Sequence, residues 1–240
     1  MRILLISGHG AGDPGAIGCD YKESDLTREL VNLIAPKLRN YAQVDVYDQK
    51  RNAFSDAKKG KLQAGVYEYA LEIHFNAFSD PKAHGAEIYV TTKEKGVSVE
   101  KTIMQKLKKY FTLRDADGVK VTDFLVIRNL KDRGISSALL EVCFITNETE
   151  MKVYQGSKEM IATDIAAGIA EGFKLKPAGD VKPDPTPTRR THKLSAQDTL
   201  WGLAVKYLGN GSRWTEIAEL NGGLDPKKLI PGKTIMIPNK

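Results

Sequence analysis

The sequence predicts an α/β protein, a twisted mixed sheet flanked by helices, followed by a small βααβ unit. Three observations carry that expectation. Up to residue 175, short apolar runs of strand length alternate with segments whose apolar residues recur at helical spacing. A stretch rich in alternate prolines, "KLKPAGDVKPDPTPTRRT", then interrupts the pattern with almost nothing to bury. Beyond it, residues 191–240 read as strand, helix, helix and strand. The expected organisation is therefore a domain over 1–175, a spacer over 176–190 and a second domain over 191–240.

Each element has its own signal. "RILLIS" is a short buried strand. "ESDLTRELVNLIAPKLRN" places Leu26, Leu30, Leu33, Ile34 and Leu38 on one helical face, with Pro36 loosening the last turn. "QVDVYD" alternates as a strand, and a helix is expected around Asp56–Gly65. "YALEIHFNA" and "GAEIYVT" read as strands and "SVEKTIMQKLKKYF" as a helix. "DFLVIRN" and "SALLEVCFI" read as two more strands, and "NETEMKVY" and "KEMIATDIAAGIAEGFKL" as two closing helices. In the second unit "HKLS" and "TIMIP" are strands. Asp198 is expected to cap the helix "TLWGLAVKY", which "TEIAELN" follows. Helical spacing with Ala204 and Val205 assigns Trp201 to the core.

Composition excludes several classes. Of the 240 residues 41% are hydrophobic and 28% charged, as in ordinary globular domains. No apolar run approaches the ~20 residues a membrane span needs, so no membrane insertion is expected. The opening "MRILLISGHG" reads as a first strand rather than a signal peptide, which makes cytoplasmic synthesis the expectation. Two cysteines make no disulfide framework, and Cys143 within "ALLEVCFI" reads as a small buried hydrophobe. The net charge is +6, and residues 190–240 hold eight Lys/Arg against four Asp/Glu. A basic C-terminal part suits an anionic polymer.

Four polar groups stand in or beside apolar strands. His9 follows "ILLISG" and lies among the five glycines of "ILLISGHGAGDPGAIG". His74 ends "YALEIH", Glu141 sits inside "SALLEVCF", and Glu23 opens the first helix. In an α/β layer such strand ends collect functional residues. Glu141 is costly to bury unless it is paired, metal-linked or protonated; an edge position in water is the alternative. Glu72 poses the same question and reads first as a solvated edge residue; because it shares a strand face with His74, two residues on, a place beside the site is the alternative. His9, Glu23 and His74 form a nitrogen and oxygen set that a catalytic zinc accepts with one position left for water. Structural histidines remain the alternative. The glycine loop lacks the Lys-Ser/Thr of a phosphate-binding loop.

Together "SGHGAGDPGAIG", Glu23, "IHFNA", "GAEIYV", "FLVIRN" and "LLEVCFITNETE" resemble the zinc-dependent N-acetylmuramoyl-L-alanine amidases of type 3. The resemblance implies the amidase type 3 fold, Zn2+ on His9, Glu23 and His74, and Glu141 as catalytic acid/base. The substrate it implies is bacterial peptidoglycan, with Asn76 and Arg128 as secondary candidates for holding ligands or substrate carboxylates. Asp13 is expected to hold the loop rather than the metal. His84 and His192 are expected in a loop and in a structural role. The chain departs from the family in an extra residue before Asp13-Pro14, in Cys143 where glycine is usual, and around Glu23.

"HKLSAQDTLWGLAVKY", "RWTEIAELNG" and "LIPGKTIMIP" resemble a LysM module, with Gln197 and Lys233 replacing the usual glycine and glutamine. That resemblance implies binding of N-acetylglucosamine-containing glycan by Asp198, Thr199, Leu200, Ile230, Pro231 and Gly232. It points to no nucleic acid partner. A wall hydrolase made without an export signal is expected to leave as phage endolysins do, through a holin pore, or by sporulation lysis. A glycan-binding carrier with an inactive first domain, and a zinc peptidase acting on stem peptides, are the rival readings.

Overall fold

The apolar run after Met1 is a strand, β1 (Arg2–Ser7), buried on both faces as a parallel strand requires. In the computed structural model, residues 1–177, 190–221, 224–226 and 228–237 are described. The chain divides into two compact units, Met1–Gly179 and Asp180–Lys240. The expected proline-rich spacer lies, between 178 and 189, outside the described residues.

In the first unit β1 leads through the glycine loop to a small hairpin, β2 (Ile17–Gly18) and β3 (Tyr21–Lys22), and to helix α1 (Glu23–Leu38). Strand β4 (Gln43–Val46), helix α2 (Ala53–Lys58), strands β5 (Tyr69–Asn76) and β6 (Glu87–Val90) and helix α3 (Ser98–Leu107) follow. Strand β7 (Val119–Val121), helix α4 (Leu125–Asp132), strand β8 (Ser136–Phe144) and helix α5 (Glu148–Gly172) complete it. The six-stranded sheet has the order β4-β1-β5-β8-β6-β7. Strands β4, β1, β5 and β8 are parallel, and β6 runs antiparallel to β8. The expected mixed sheet flanked by helices is thus the fold.

The two faces of the sheet differ. On one, Leu5, Leu71, Ile73, Leu140, Val142 and Ile88 join Leu30, Ile34, Ile103 and Ile165 in the larger core under α1, α3 and α5. On the other, the short helices α2 and α4 pack Ala53, Ala57, Val126 and Leu130 against Leu4, Ile6, Ala70 and Ile135. Side chains alternate faces along a strand, so the residues that continue this second face beyond Ala70 are Glu72 and His74. The apolar layer gives way there to a polar row at the carboxyl ends of the strands.

Several elements differ from expectation. "DFLVIRN" is helical: Val126, Ile127 and Leu130 are buried at helical spacing and Arg128 faces out. The closing segment is one continuous helix, because nothing at Gly156 breaks the ladder and Asn147 caps its start by accepting from the Glu150 amide. α2 starts earlier and ends sooner than the expected Asp56–Gly65, with Asn52 capping Ser55 and Gly60 in a left-handed conformation. Helix α1 runs through Pro36 to Leu38. The hairpin β2–β3 and strand β7 have too few residues to register as patterns.

The second unit pairs β9 (Arg190–Lys193) antiparallel with β10 (Thr234–Ile237). Helix α6 (Leu200–Leu208), a 3-10 turn (Gly211–Arg213) and helix α7 (Trp214–Leu220) lie between them. Leu194, Leu200, Leu203, Ala204, Leu208, Ile217, Ile235 and Ile237 form its core. Asn221 ties α7 to β10, donating to the carbonyls of Ile217 and Met236 and accepting from the Met236 amide. Thr199, not Asp198, caps α6, its hydroxyl accepting from the Gly202 amide. Trp201 is 56% exposed rather than core. The face that packs is Leu200, Leu203, Ala204 and Leu208, one residue out of phase with the expected one.

Glu150 joins the end of β8 to the segment before β6. Its carboxylate is buried and accepts from the amides of Phe144 and Gly85, each at 2.8 Å. Glu150→Ala leaves two buried donors without acceptors, at about 1–3 kcal/mol each. The expected outcome is a melting temperature lower by roughly 5–15 °C, read by circular dichroism of the full chain.

Candidate active site

Glycine at position 8 is dictated by the imidazole that lies on it: an added Cβ would come within 2.4–2.7 Å of three His74 ring atoms. Gly15 is constrained in the same way, its Cβ site lying 2.7 Å from both Glu23 Oε2 and His9 Cδ2. Between them His9 adopts a left-handed backbone, φ 63°, which is uncommon outside glycine. The glycine loop therefore exists to fold closely around two imidazoles and one carboxylate.

That carboxylate is Glu23, the first residue of α1 and 3% exposed. Its Oε1 lies 2.9 Å from His74 Nδ1 and accepts from the Phe75 amide at 3.1 Å. Oε2 lies 3.1 Å from His9 Nε2 and accepts from the Ala16 amide at 2.9 Å. One ligand atom from each of His9, Glu23 and His74 falls within 4.8 Å of the others. The outer nitrogens also face carboxylates: His9 Nδ1 is 2.9 Å from Asp13 Oδ2, and His74 Nε2 is 3.3 Å from Glu72 Oε1.

Charge follows from this geometry. Burial opposes ionisation of Glu23, yet hydrogen bonds to His74 and His9 outweigh it and hold its pKa well below the usual range. Burial likewise opposes the charge of His74, and hydrogen bonds to Glu23 and Glu72 overcome it, raising its pKa. His9 is raised in the same sense, mainly by Glu23 against its own burial.

Glu141 is the register partner of His74 on the adjacent strand and of Glu87 on the other side. Its Oε2 is buried with no hydrogen-bond partner. Burial pushes its pKa up to about 7, with His74 pulling it down and Glu23, Glu87 and Glu72 pushing it further up. Glu87 is buried and fully engaged: Asn76 Nδ2 donates to it at 2.6 Å, Arg114 Nε at 3.0 Å, and Lys120 Nζ lies 2.6 Å away. The row thus holds two histidines and a carboxylate that can share a metal ion, beside a carboxyl with an unpartnered oxygen.

A family model described as N-acetylmuramoyl-L-alanine amidase matches residues 3–171. The chain belongs to this family. A LysM domain model matches residues 192–238 of the same chain. The germination-specific N-acetylmuramoyl-L-alanine amidase of Bacillus subtilis is 26% identical over 197 residues, 72% of this chain and 80% of that protein. A Staphylococcus aureus protein named "Probable autolysin PH" is 26% identical over 186 residues, 70% of this chain; the chain spans only 38% of that relative's length. The catalytic domain of the CD27L endolysin targeting Clostridia difficile shares the fold at 21% identity, with a TM-score of 0.59, covering 71% of this chain and 97% of that one.

Within the amidase domain His9, Glu23, His74 and Glu141 come together as one site. Asp13 anchors the loop through the Gly15 amide and Asn52 as well as touching His9. Asn76 is held against Glu87. Arg128 lies on the exposed face of α4, and no side-chain contact joins it to the cluster among the described residues. His84 is in an exposed loop beside the Lys82 carbonyl. Glu72 departs from the favoured reading: it is 4% exposed on a strand paired on both sides, not a solvated edge residue, and the alternative place beside His74 is the one it takes. Sequence reasoning also passed over Glu87, although a carboxylate between Ala86 and Ile88 posed the same question as Glu141.

In the LysM domain the loop before α6 and the loop before β10 are stapled by Gly232 N to Leu194 O and Leu194 N to Lys233 O. Asp198 binds His192 Nε2 and the Ser195 amide, each at 2.7 Å, Thr199 caps α6, and Leu200 is buried. Ile230 is 62% exposed. His192 bridges Asp198 and the Tyr207 hydroxyl. Among the described residues no helix is long and apolar enough to cross a membrane.

Gly8→Ala tests the close approach. The new methyl forces the His74 ring away from Glu23 and opens the cluster. The expected outcome is at least a tenfold loss of divalent-metal affinity in a chelator competition, with the far-ultraviolet circular dichroism spectrum unchanged.

Proposed function

We propose that the chain is a zinc-dependent peptidoglycan hydrolase that cuts the amide between N-acetylmuramic acid and L-alanine of the stem peptide. We infer that its LysM domain holds it on N-acetylglucosamine-containing glycan. The observation that carries the reading is the convergence of His9, Glu23 and His74 beside the unpartnered Oε2 of Glu141.

The donor set fits zinc. Tetrahedral zinc with bonds near 2.0–2.2 Å brings neighbouring ligand atoms to roughly 3.3 Å from one another. Glu23 Oε2 lies 3.1 Å from His9 Nε2 and Oε1 2.9 Å from His74 Nδ1, and one ligand atom from each of the three residues falls within 4.8 Å of the others, close enough to converge on one ion. His9 Nε2, a Glu23 oxygen and His74 Nδ1 would hold the ion, leaving one position open. Bound zinc supplies a Lewis acid for the scissile carbonyl and acidifies its water.

Glu141 supplies the proton transfers. As a carboxylate it takes a proton from the water that attacks the carbonyl, and as a carboxylic acid it returns that proton to the departing alanine nitrogen. A carboxyl with pKa about 7 serves both directions near neutral pH; a cation bound beside it shifts that pKa downward. Glu87 holds the Asn76 amide at 2.6 Å. The glycan-binding half raises the local concentration of the hydrolase on its polymer.

Purified cell walls test this directly. Clearing is expected to stop with EDTA, to return with zinc, and to release amino-terminal alanine. Other new amino termini indicate a stem-peptide peptidase. Glycan binding without chelator-sensitive clearing indicates a LysM carrier with an inactive first domain. Glu141→Gln is expected to retain zinc and lose at least about 100-fold in rate. Because the attacking step needs Glu141 ionised, kcat/KM of the wild type is expected to fall as pH drops through the pKa of Glu141. That dependence should vanish from the residual rate of the variant.

A further inference from the structure

Glu72 is a buried carboxylate that the reaction outlined above does not use. It lies in the interior of β5, with Ile6 of β1 and Leu139 of β8 as its register neighbours. Both are apolar, and no lysine or arginine pairs with it among the described residues. A carboxylate in such surroundings is costly unless a specific group compensates it. The group within reach is His74, two residues along on the same face of the strand, whose Nε2 lies 3.3 Å from Glu72 Oε1.

The arrangement repeats at the other histidine. His9 turns Nε2 to Glu23 and Nδ1 to Asp13. His74 turns Nδ1 to Glu23 and Nε2 to Glu72. Each imidazole therefore presents one nitrogen to the shared carboxylate and the other to a private one. A carboxylate on the outer nitrogen keeps the ring proton there, leaves the inner lone pair free for a metal, and makes it a better donor. Asp13 also holds the loop, whereas Glu72 has no second task among the described contacts.

We propose that Glu72 is a positioning residue that holds the proton of His74 on Nε2 and so aims the Nδ1 lone pair into the zinc site. The proposal rests on the zinc reading above. It concerns metal affinity rather than the bond-breaking step, since Glu72 touches His74 and not the reacting atoms.

The test measures zinc dissociation constants of the full chain by competition with a chelating dye, together with the visible spectrum of the cobalt(II)-loaded protein. Wild type, Glu72→Ala, Glu72→Gln and His74→Ala are compared. Glu72→Ala is expected to weaken zinc binding about 10- to 100-fold and to alter the cobalt spectrum. Glu72→Gln keeps an acceptor for the Nε2 proton but not the charge, and is expected to lose about three- to tenfold. Thermal stability without metal should not fall in step, because a buried charge is removed. Zinc affinity in Glu72→Ala equal to wild type overturns the proposal alone. Should that variant not fold, Glu72→Gln decides, and an affinity within about twofold of wild type overturns it. A wild-type chain that binds no zinc, or binds it equally in His74→Ala, overturns the zinc reading itself and the proposal with it.

Discussion

The site depends on one carboxylate. Glu23 stands at the first position of α1, where the unsatisfied amides of the helix end favour negative charge. It is almost fully buried, and four donors converge on its two oxygens: the amides of Ala16 and Phe75 and the rings of His9 and His74. The backbone closes the same circle, since the amides of Glu23 and Ser24 donate to the carbonyls of Ala16 and Pro14. Glycine loop, helix start and strand end are thus joined through one side chain. The contacts that fold the loop are therefore the contacts that hold the donor set, and a loop that frayed would dismantle it.

Around this centre four acidic side chains share a small buried region without sharing a fate. Glu23 and Glu72 face imidazoles. Glu87 is held by an amide, a guanidinium and an ammonium. Glu141, one strand over from Glu87 in the same register row, has a buried oxygen with no partner. Neighbouring carboxyls in unlike surroundings are what separates an acid/base group from a structural one. The basic side chains that engage Glu87 come from outside the row, from Arg114 and from Lys120 on β7. This makes the unheralded strand β7 part of the site's electrostatics.

The strands that build the row were legible because they are apolar and bounded by turns, and a polar residue inside such a run stands out. His74 and Glu141 stand out in that way, His9 and Glu23 by following an apolar strand and opening the first helix, and the family resemblance assigned the four their roles. Three kinds of information were not legible. Whether a strand lies at an edge depends on pairing order, so Glu72 reads as solvated until β1 and β8 are placed on either side of it. Short apolar runs do not declare their period. "DFLVIRN" fits a strand or a helix, and burial of Val126, Ile127 and Leu130 decides for the helix. A join such as Glu150 to Gly85 spans too much sequence for any local pattern to expose it.

Trp201 is a sharper instance of the same problem, and it bears on the glycan contact proposed for the LysM domain. Helical spacing admits two apolar faces on α6, one with Trp201 and Val205, the other with Leu200, Leu203, Ala204 and Leu208. The second is continuous with Ile217 and Ile235 and is the one that packs. Trp201 instead lies against Gly211, where an added Cβ would come within 2.2 Å of the indole. At the edge proposed for glycan the candidate residues have prior commitments: Asp198 to His192 and Ser195, Thr199 to the helix cap, Leu200 to the core. Under the glycan-binding proposal, a sugar on that edge meets backbone groups of the two stapled loops and the exposed side chain of Ile230 rather than a set of charged side chains. Recognition of that kind reads shape and amide groups, and modest affinity suffices, because tethering to a polymer multiplies the encounters of the linked hydrolase with its bonds.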